Sequence, residues 1–248
     1  MRQLTPRIAL EIAHSEGLAR EAYRDSQGVW TWSIGVTDAS GHQVLPRYRD
    51  APQTIEHCLA IYRWLLETRY LPPVLVSFGG HEPSEAELGA ALSFHWNTGA
   101  IEKASWLKRF LDGDRDGARA AMLDWAHPAA LLPRRQREAS LFFDGRWSGD
   151  GMVLVYAVAK PAYHPVNPQR LDARAAMDAV FAPDAGPETA STPDLAPQYT
   201  EIQANRTANP FAGLADLLAP DGDPRSDQNQ RLNWFSRLFT APFTKIGR

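Results

Sequence analysis

A single cysteine in 248 residues, Cys58, rules out an internal disulfide. The fold therefore does not depend on an oxidising compartment. Cys58 sits in an apolar helical stretch and reads as a small buried side chain. No run approaches the roughly 20 apolar residues of a membrane helix. The N-terminal stretch MRQLTPRIALEIAHSEG lacks a continuous apolar core and a small-residue cleavage site, so it does not read as an export signal. Net charge is also scarce: a formal −3 gives no reason to expect nucleic acid as a partner and little long-range pull toward an anionic cell wall. There is no phosphate-binding glycine loop and no nucleophilic serine elbow. The seven histidines (His14, His42, His57, His81, His95, His127 and His164) lack ligand spacing with acids or the cysteine. No metal and no cofactor are expected. No internal repeat is apparent.

What is present is a run of helical patterns around one short extended segment. Pro6 suits the first turn of a helix carrying Ile8, Leu10, Ile12 and Ala13 toward Glu16. From Val29 the period becomes two: Trp30, Trp32 and Ile34 share one face, Thr31, Ser33 and Gly35 the other. The aromatic face is expected to pack on the core and the small polar face to line an opening. Gly41 and His42 end this small sheet. Residues 54–70 form a helix with Ile55, Leu59, Tyr62 and Leu66 on one stripe, which Pro72-Pro73 is expected to stop. Ser84 and Glu87 form a capping box for the next helix, through Leu88, Leu92 and Phe94. Further helices are expected near 104–111, 115–126 and 133–144, with a turn at DGDRDG, 112–117.

Beyond about residue 160 the composition shifts. Ten of the nineteen prolines fall between Pro161 and Pro224. Asp172 to Asp227 holds ten acids and three arginines, a net of −7, and Gln228 to Arg248 carries +4. A short helix at 171–181 fits the pattern; the rest reads as linker-like. The terminal RLNWFSRLFTAPFTKIGR mixes aromatic and basic residues. That suits weak contact with an anionic membrane surface, and equally a helix docked on its own domain.

The chemistry is concentrated between Glu16 and Thr31. A carboxylate ends a helix, a second enters a turn nine residues on at Asp25, and a hydroxyl, Thr31, follows in the extended run. Two carboxyl groups facing each other across a cleft hydrolyse glycosidic bonds, one giving a proton and the other directing water. Taken alone, either acid reads as a solvated charge or a turn cap.

The spacing E-x8-D-x5-T, with Gly17-Leu18 after the glutamate and Tyr23 before the aspartate, resembles glycoside hydrolase family 24, the phage-type lysozymes or endolysins. The resemblance continues through FHWNTG at 94–99, through WLKRFLDGDRDGARAAMLDW and through PRRQREASLFFDGRW, and covers roughly residues 4–150. It implies an α+β fold: a mainly helical lysozyme-like domain over 1–160 with a small N-terminal antiparallel β-sheet, followed by a Pro-rich extension over 161–248. It implies a muramidase cutting the β-1,4 bond between N-acetylmuramic acid and N-acetylglucosamine in bacterial peptidoglycan. Glu16 would be the general acid, Asp25 the second carboxylate and Thr31 the holder of the attacking water, in the inverting manner. It also implies host lysis: the protein waits in the host cytoplasm and reaches periplasmic peptidoglycan through a holin-like membrane pore. Where some relatives carry a histidine that supports the cleft, this chain has Val36, so that support is not carried over.

Arg134, Arg135 and Arg137 crowd the first turn of a helix, against its dipole, so propensity does not explain them. They suit carboxylates of the peptidoglycan peptides, with Arg135 the best candidate; pairing with Glu138 and Asp144 is the structural alternative. Asn97 suits an acetamido group or simply a helix end. A non-catalytic cell-wall-binding or virion structural protein on the same scaffold, and a lytic transglycosylase, are the competing functions.

Overall fold

The computed structural model describes residues 3–182. Eight α-helices and a five-stranded sheet make up this part of the chain. Helix α1 (Pro6–His14) begins as its sequence requires: the Thr5 side chain accepts from the Ile8 N–H, and Pro6 occupies the first turn. Thr5 also donates 2.6 Å to Glu85, tying α1 to the start of α4 (Glu85–Thr98). The Ser84–Glu87 capping box is present, and Gly99 closes α4 with a positive φ of 63°. From Leu88 to Thr98 every residue of α4 is buried. It is the axis of the helical part, with α1 and α7 (Leu132–Asp144) against it. Helices α5 (Ser105–Leu111) and α6 (Arg115–Leu123) pack together beside α7.

The proline pair does not end the helix that precedes it. Helix α2 (Ile55–Leu65) widens into a π-turn over Leu66–Tyr70 and continues as α3 (Leu71–Ser77). Pro72 and Pro73 lie in the first turn of α3, where a missing N–H costs no helical bond. The expected stop is instead a restart.

The sheet runs in the order β3-β2-β1-β4-β5, with β1 Gly17–Arg24, β2 Trp30–Ser33, β3 Val36–Thr37, β4 Met152–Ala159 and β5 His164–Asp172. The first three strands form the expected N-terminal antiparallel sheet. The other two come from the far end of the matched helices: β4 runs parallel to β1, pairing Gly17, Leu18 and Ala19 with Leu154, Val155 and Tyr156. Strands β4 and β5 form an antiparallel pair across residues 152–172. Strands β4 and β5 pair across the expected 160/161 division. The physical reason is edge satisfaction: β1 alone would present unpaired N–H and C=O groups on one side, and β4 takes them up. Helix α8 (Arg174–Phe181) then returns to α1 and α2, with Met177 fully buried and Arg63 donating 2.7 Å to the Val180 carbonyl. The expected helix at 171–181 is therefore real, although its first residues belong to β5. The cationic terminal segment and the rest of the Pro-rich stretch lie outside the described residues.

Strand β2 departs from simple alternation. Trp32 is buried as expected, its ring stacked on Tyr48 at 3.6 Å. Trp30 is only half-buried, held under the Arg24 guanidinium at 4.7 Å and edge-on to Tyr163 at 5.0 Å. Ser33, expected on the open face, is fully buried with φ of 53° and donates 3.0 Å to the Cys58 carbonyl. The strand ends there because the chain must reverse through Ile34-Gly35 into β3. Cys58 is buried as expected, and burial pushes its thiol up to about 12. Among the described residues no helix is long and apolar enough to cross a membrane.

Candidate active site

Glu16 follows α1 directly and precedes β1, so its backbone position is set by the helix end. It is 8% exposed. Asp25 opens the β1–β2 turn, where its Oδ1 accepts from the N–H groups of Gln27 (2.8 Å) and Val29 (2.9 Å). This is the Asx arrangement its sequence setting favours. Thr31 lies on β2 directly opposite Tyr23 of β1, and its hydroxyl donates 3.2 Å to the Val29 carbonyl. Opposed residues of an antiparallel pair share a face. Tyr23 therefore shares its face with Thr31: burial pushes its phenol well up, and the charges of Asp25 and then Glu16 push it further. Tyr23 packs with Ala19 and with Tyr156 of β4, on the face opposite Trp32.

A buried ionic network holds Glu16. Arg134 of α7 donates from Nη1 to Glu16 and from Nε to Glu138 at 3.0 Å. Glu138 also accepts from the Ser93 hydroxyl at 2.7 Å and pairs with Arg135 at 2.7 Å. Arg135 in turn donates to Asn97 and lies 5.0 Å over the Phe94 ring. Two carboxyl groups and two guanidiniums thus share one buried network, where each charge costs desolvation that its partners must offset. Burial raises the Glu16 pKa and Arg134 opposes it; the net direction is upward. Arg135 is pulled down to about 10 by burial.

The network takes in two residues named from the sequence for substrate contact. Arg135 is 0% and Asn97 4% exposed, and they bond to each other. Their bond ties α4 to α7. Of the alternatives for the arginine cluster, pairing with Glu138 holds for Arg134 and Arg135, while Asp144 pairs with Arg119. The residue missed was Arg134 as the partner of Glu16. Its signal was present: three cations at a helix start, where the dipole repels them, need buried acids to explain them.

The sheet beside Val36 is supported by rings instead of an ion pair. His42 Nε2 is 2.7 Å from the Tyr48 hydroxyl, and both rings stack with Trp32. Burial pulls His42 and His95 down to about 4. In the unfolded chain both would take up protons from about pH 6.5 downward. The unfolded state therefore binds more protons between about 6.5 and 4, and stability falls as pH falls through that window. Melting temperature against pH should be level above about 6.5 and decline toward 4, with a shallower decline for His42→Phe. An unchanged slope in that variant would contradict the assignment to His42.

Residues 13–138 match the phage lysozyme family. A probable prophage lysozyme of Escherichia coli is 28% identical over 119 residues, 46% of this chain and 63% of that protein. A SAR-endolysin of Escherichia phage 933W is 27% identical over the same length and shares. The chain thus spans less than two thirds of the length of these curated relatives. Among solved structures, a mutant of P22 lysozyme superposes with a TM-score of 0.48 at 24% identity, covering 57% of this chain and 99% of that one. The muramidase domain of SpmX from Asticaccaulis excentricus gives 0.45 at 23%, covering 57% and 98%. The family match takes in Glu16, Asp25, Thr31, Arg134 and Glu138 and stops before β4. With the match covering just over half of its residues, this chain belongs to the phage lysozyme family.

Proposed function

We propose that this chain is an endolysin-type muramidase, hydrolysing the β-1,4 bond between N-acetylmuramic acid and N-acetylglucosamine in peptidoglycan. The observation that carries the reading is Glu16: nearly removed from water and raised in pKa, on the same short stretch of chain as Asp25 and Thr31. A general acid must hold its proton at a pH where an ordinary glutamate has lost it, and burial does this. Glu16 protonates the bridging oxygen as the sugar leaves. Asp25 faces the developing positive charge with the oxygen its turn does not use, and Thr31 positions the attacking water. Because the Glu16 pKa is raised and its protonated form is the active one, activity falls as pH rises through that raised value. In the organism the protein acts on periplasmic peptidoglycan after release from the cytoplasm by a holin-like pore, ending in lysis of the cell.

Turbidity loss with purified peptidoglycan, followed by mass spectrometry of the products, tests the reading. Reducing-end muramic acid is expected. A 1,6-anhydro product would mean a lytic transglycosylase, and no product at all a binding or structural protein. Asp25→Asn keeps the oxygen that accepts from Gln27 and Val29 while removing the charge. It should lower the lysis rate on the order of 10²-fold, within the usual range for a positioned acid–base group, with no change in melting temperature. Full activity in that variant would remove Asp25 from the chemistry.

A further inference from the structure

Between the end of α1, the first turns of α7 and strands β4 and β5 lies a cleft of about 440 Å³. Three arginines, Arg134, Arg137 and Arg170, line it together with His14, and no carboxylate is among its lining residues. Arg134 bonds Glu16 and Glu138, and Asp150 lies 2.6 Å from Arg170 and 3.8 Å from His14. Arg137 is different. It is half-buried, and among the described residues it has no ion pair and its Nε, shut off from water, has no hydrogen-bond acceptor. A guanidinium in that state is under-satisfied, and an anion entering the cleft would complete it. Burial and the neighbouring Arg134 weaken its hold on its proton and outweigh Glu138 and Glu11, which act the other way. Met152 and Leu154 supply an apolar wall beside the charge. The cleft thus suits a carboxylate carried on short aliphatic groups, which Arg grips with two parallel bonds.

We propose that this cleft is a carboxylate subsite for the peptide stems of peptidoglycan, with Arg137 as the gripping group and Arg170 as the outer charge. The proposal rests on the muramidase reading for the identity of the ligand. It deepens that reading because Arg134 both lines the cleft and bonds Glu16, so a stem held here hangs from a sugar close to the acid. Four of its ten lining residues come from β4 and β5, which lie outside the span matched to the family.

Calorimetric titration of the full chain with a synthetic stem tetrapeptide, alanyl-glutamyl-lysyl-alanine, tests it. Binding is expected, weakened about five-fold or more in Arg137→Gln, the scale of one charge-assisted hydrogen bond. Capping the peptide's carboxylates as amides should weaken binding comparably. Arg170 is exposed, so Arg170→Gln carries no risk to the fold and should weaken binding in the same direction. No binding by the wild-type chain, or equal binding by both variants, overturns the proposal. Glycan cleavage is read separately by turbidity, so a chain that binds the peptide but cleaves nothing refutes the muramidase reading and not the subsite.

Discussion

Glu16→Gln is expected to abolish lysis while leaving the melting temperature at or above that of the wild-type chain. Glutamine has the shape of glutamate and no proton to give. General acid catalysis is worth roughly 10²–10⁴ in rate, so a fall on the order of 10³-fold is the expected reading in the turbidity assay. The stability half of the prediction follows from the direction of the Glu16 pKa. It is raised, so the fold holds the charged form less favourably than water does. Exchanging that charge for a neutral amide removes a burden. Arg134 keeps Glu138 at 3.0 Å, so no guanidinium is orphaned. Lysis retained by this variant would take Glu16 out of the mechanism; loss of lysis with loss of fold would assign it a structural part only.

Arg134→Met is expected to have the opposite balance, a large loss of stability. The side chain is 5% exposed and bonds two carboxylates. Glu138 retains Arg135 at 2.7 Å and the Ser93 hydroxyl. Glu16 retains no cation. Breaking a buried pair by removing one partner costs about 3–5 kcal/mol, and each kcal/mol lowers the melting temperature by about 2–4 °C in a fold of this size. The fall should therefore be about 6–20 °C by those same scales. The double variant Glu16→Gln with Arg134→Met removes the stranded charge as well and should recover a measurable part of the loss, the mark of direct coupling. A single variant melting within 2 °C of wild type, or a double variant no better than the single one, would mean that the pair does not hold the site.

Much of the local architecture was legible before any coordinates. Pro6 and the Ser84–Glu87 box begin helices through groups only one turn away. The alternation around Trp32 sends Thr31 to the face shared with Tyr23, as the period of two requires. Other expectations failed where a distant segment intervened. Trp30 answers to Arg24 and Tyr163, the latter more than a hundred residues away, and so stays at the rim. The run MVLVYAVA has strand composition, yet nothing nearby in sequence shows that its partner is β1. Arg135 and Asn97, plausible on a surface, are spent on each other in the interior.

The sequence by itself determined the family, several helix starts, and the three residues on which the proposed glycosidase site rests. These depend on composition, on periodicity, or on hydrogen bonds spanning a few residues. The tertiary structure alone decided which charges are buried and what neutralises them: that Arg134 holds Glu16, that Arg135 is enclosed, and that Arg137 faces an open cleft. The physical reason is that burial and pairing belong to the space between elements. Adjacent arginines on α7 differ by about 100° in direction, and only the packing of α4, α7 and the outer strands converts that angle into solvent, carboxylate or cleft.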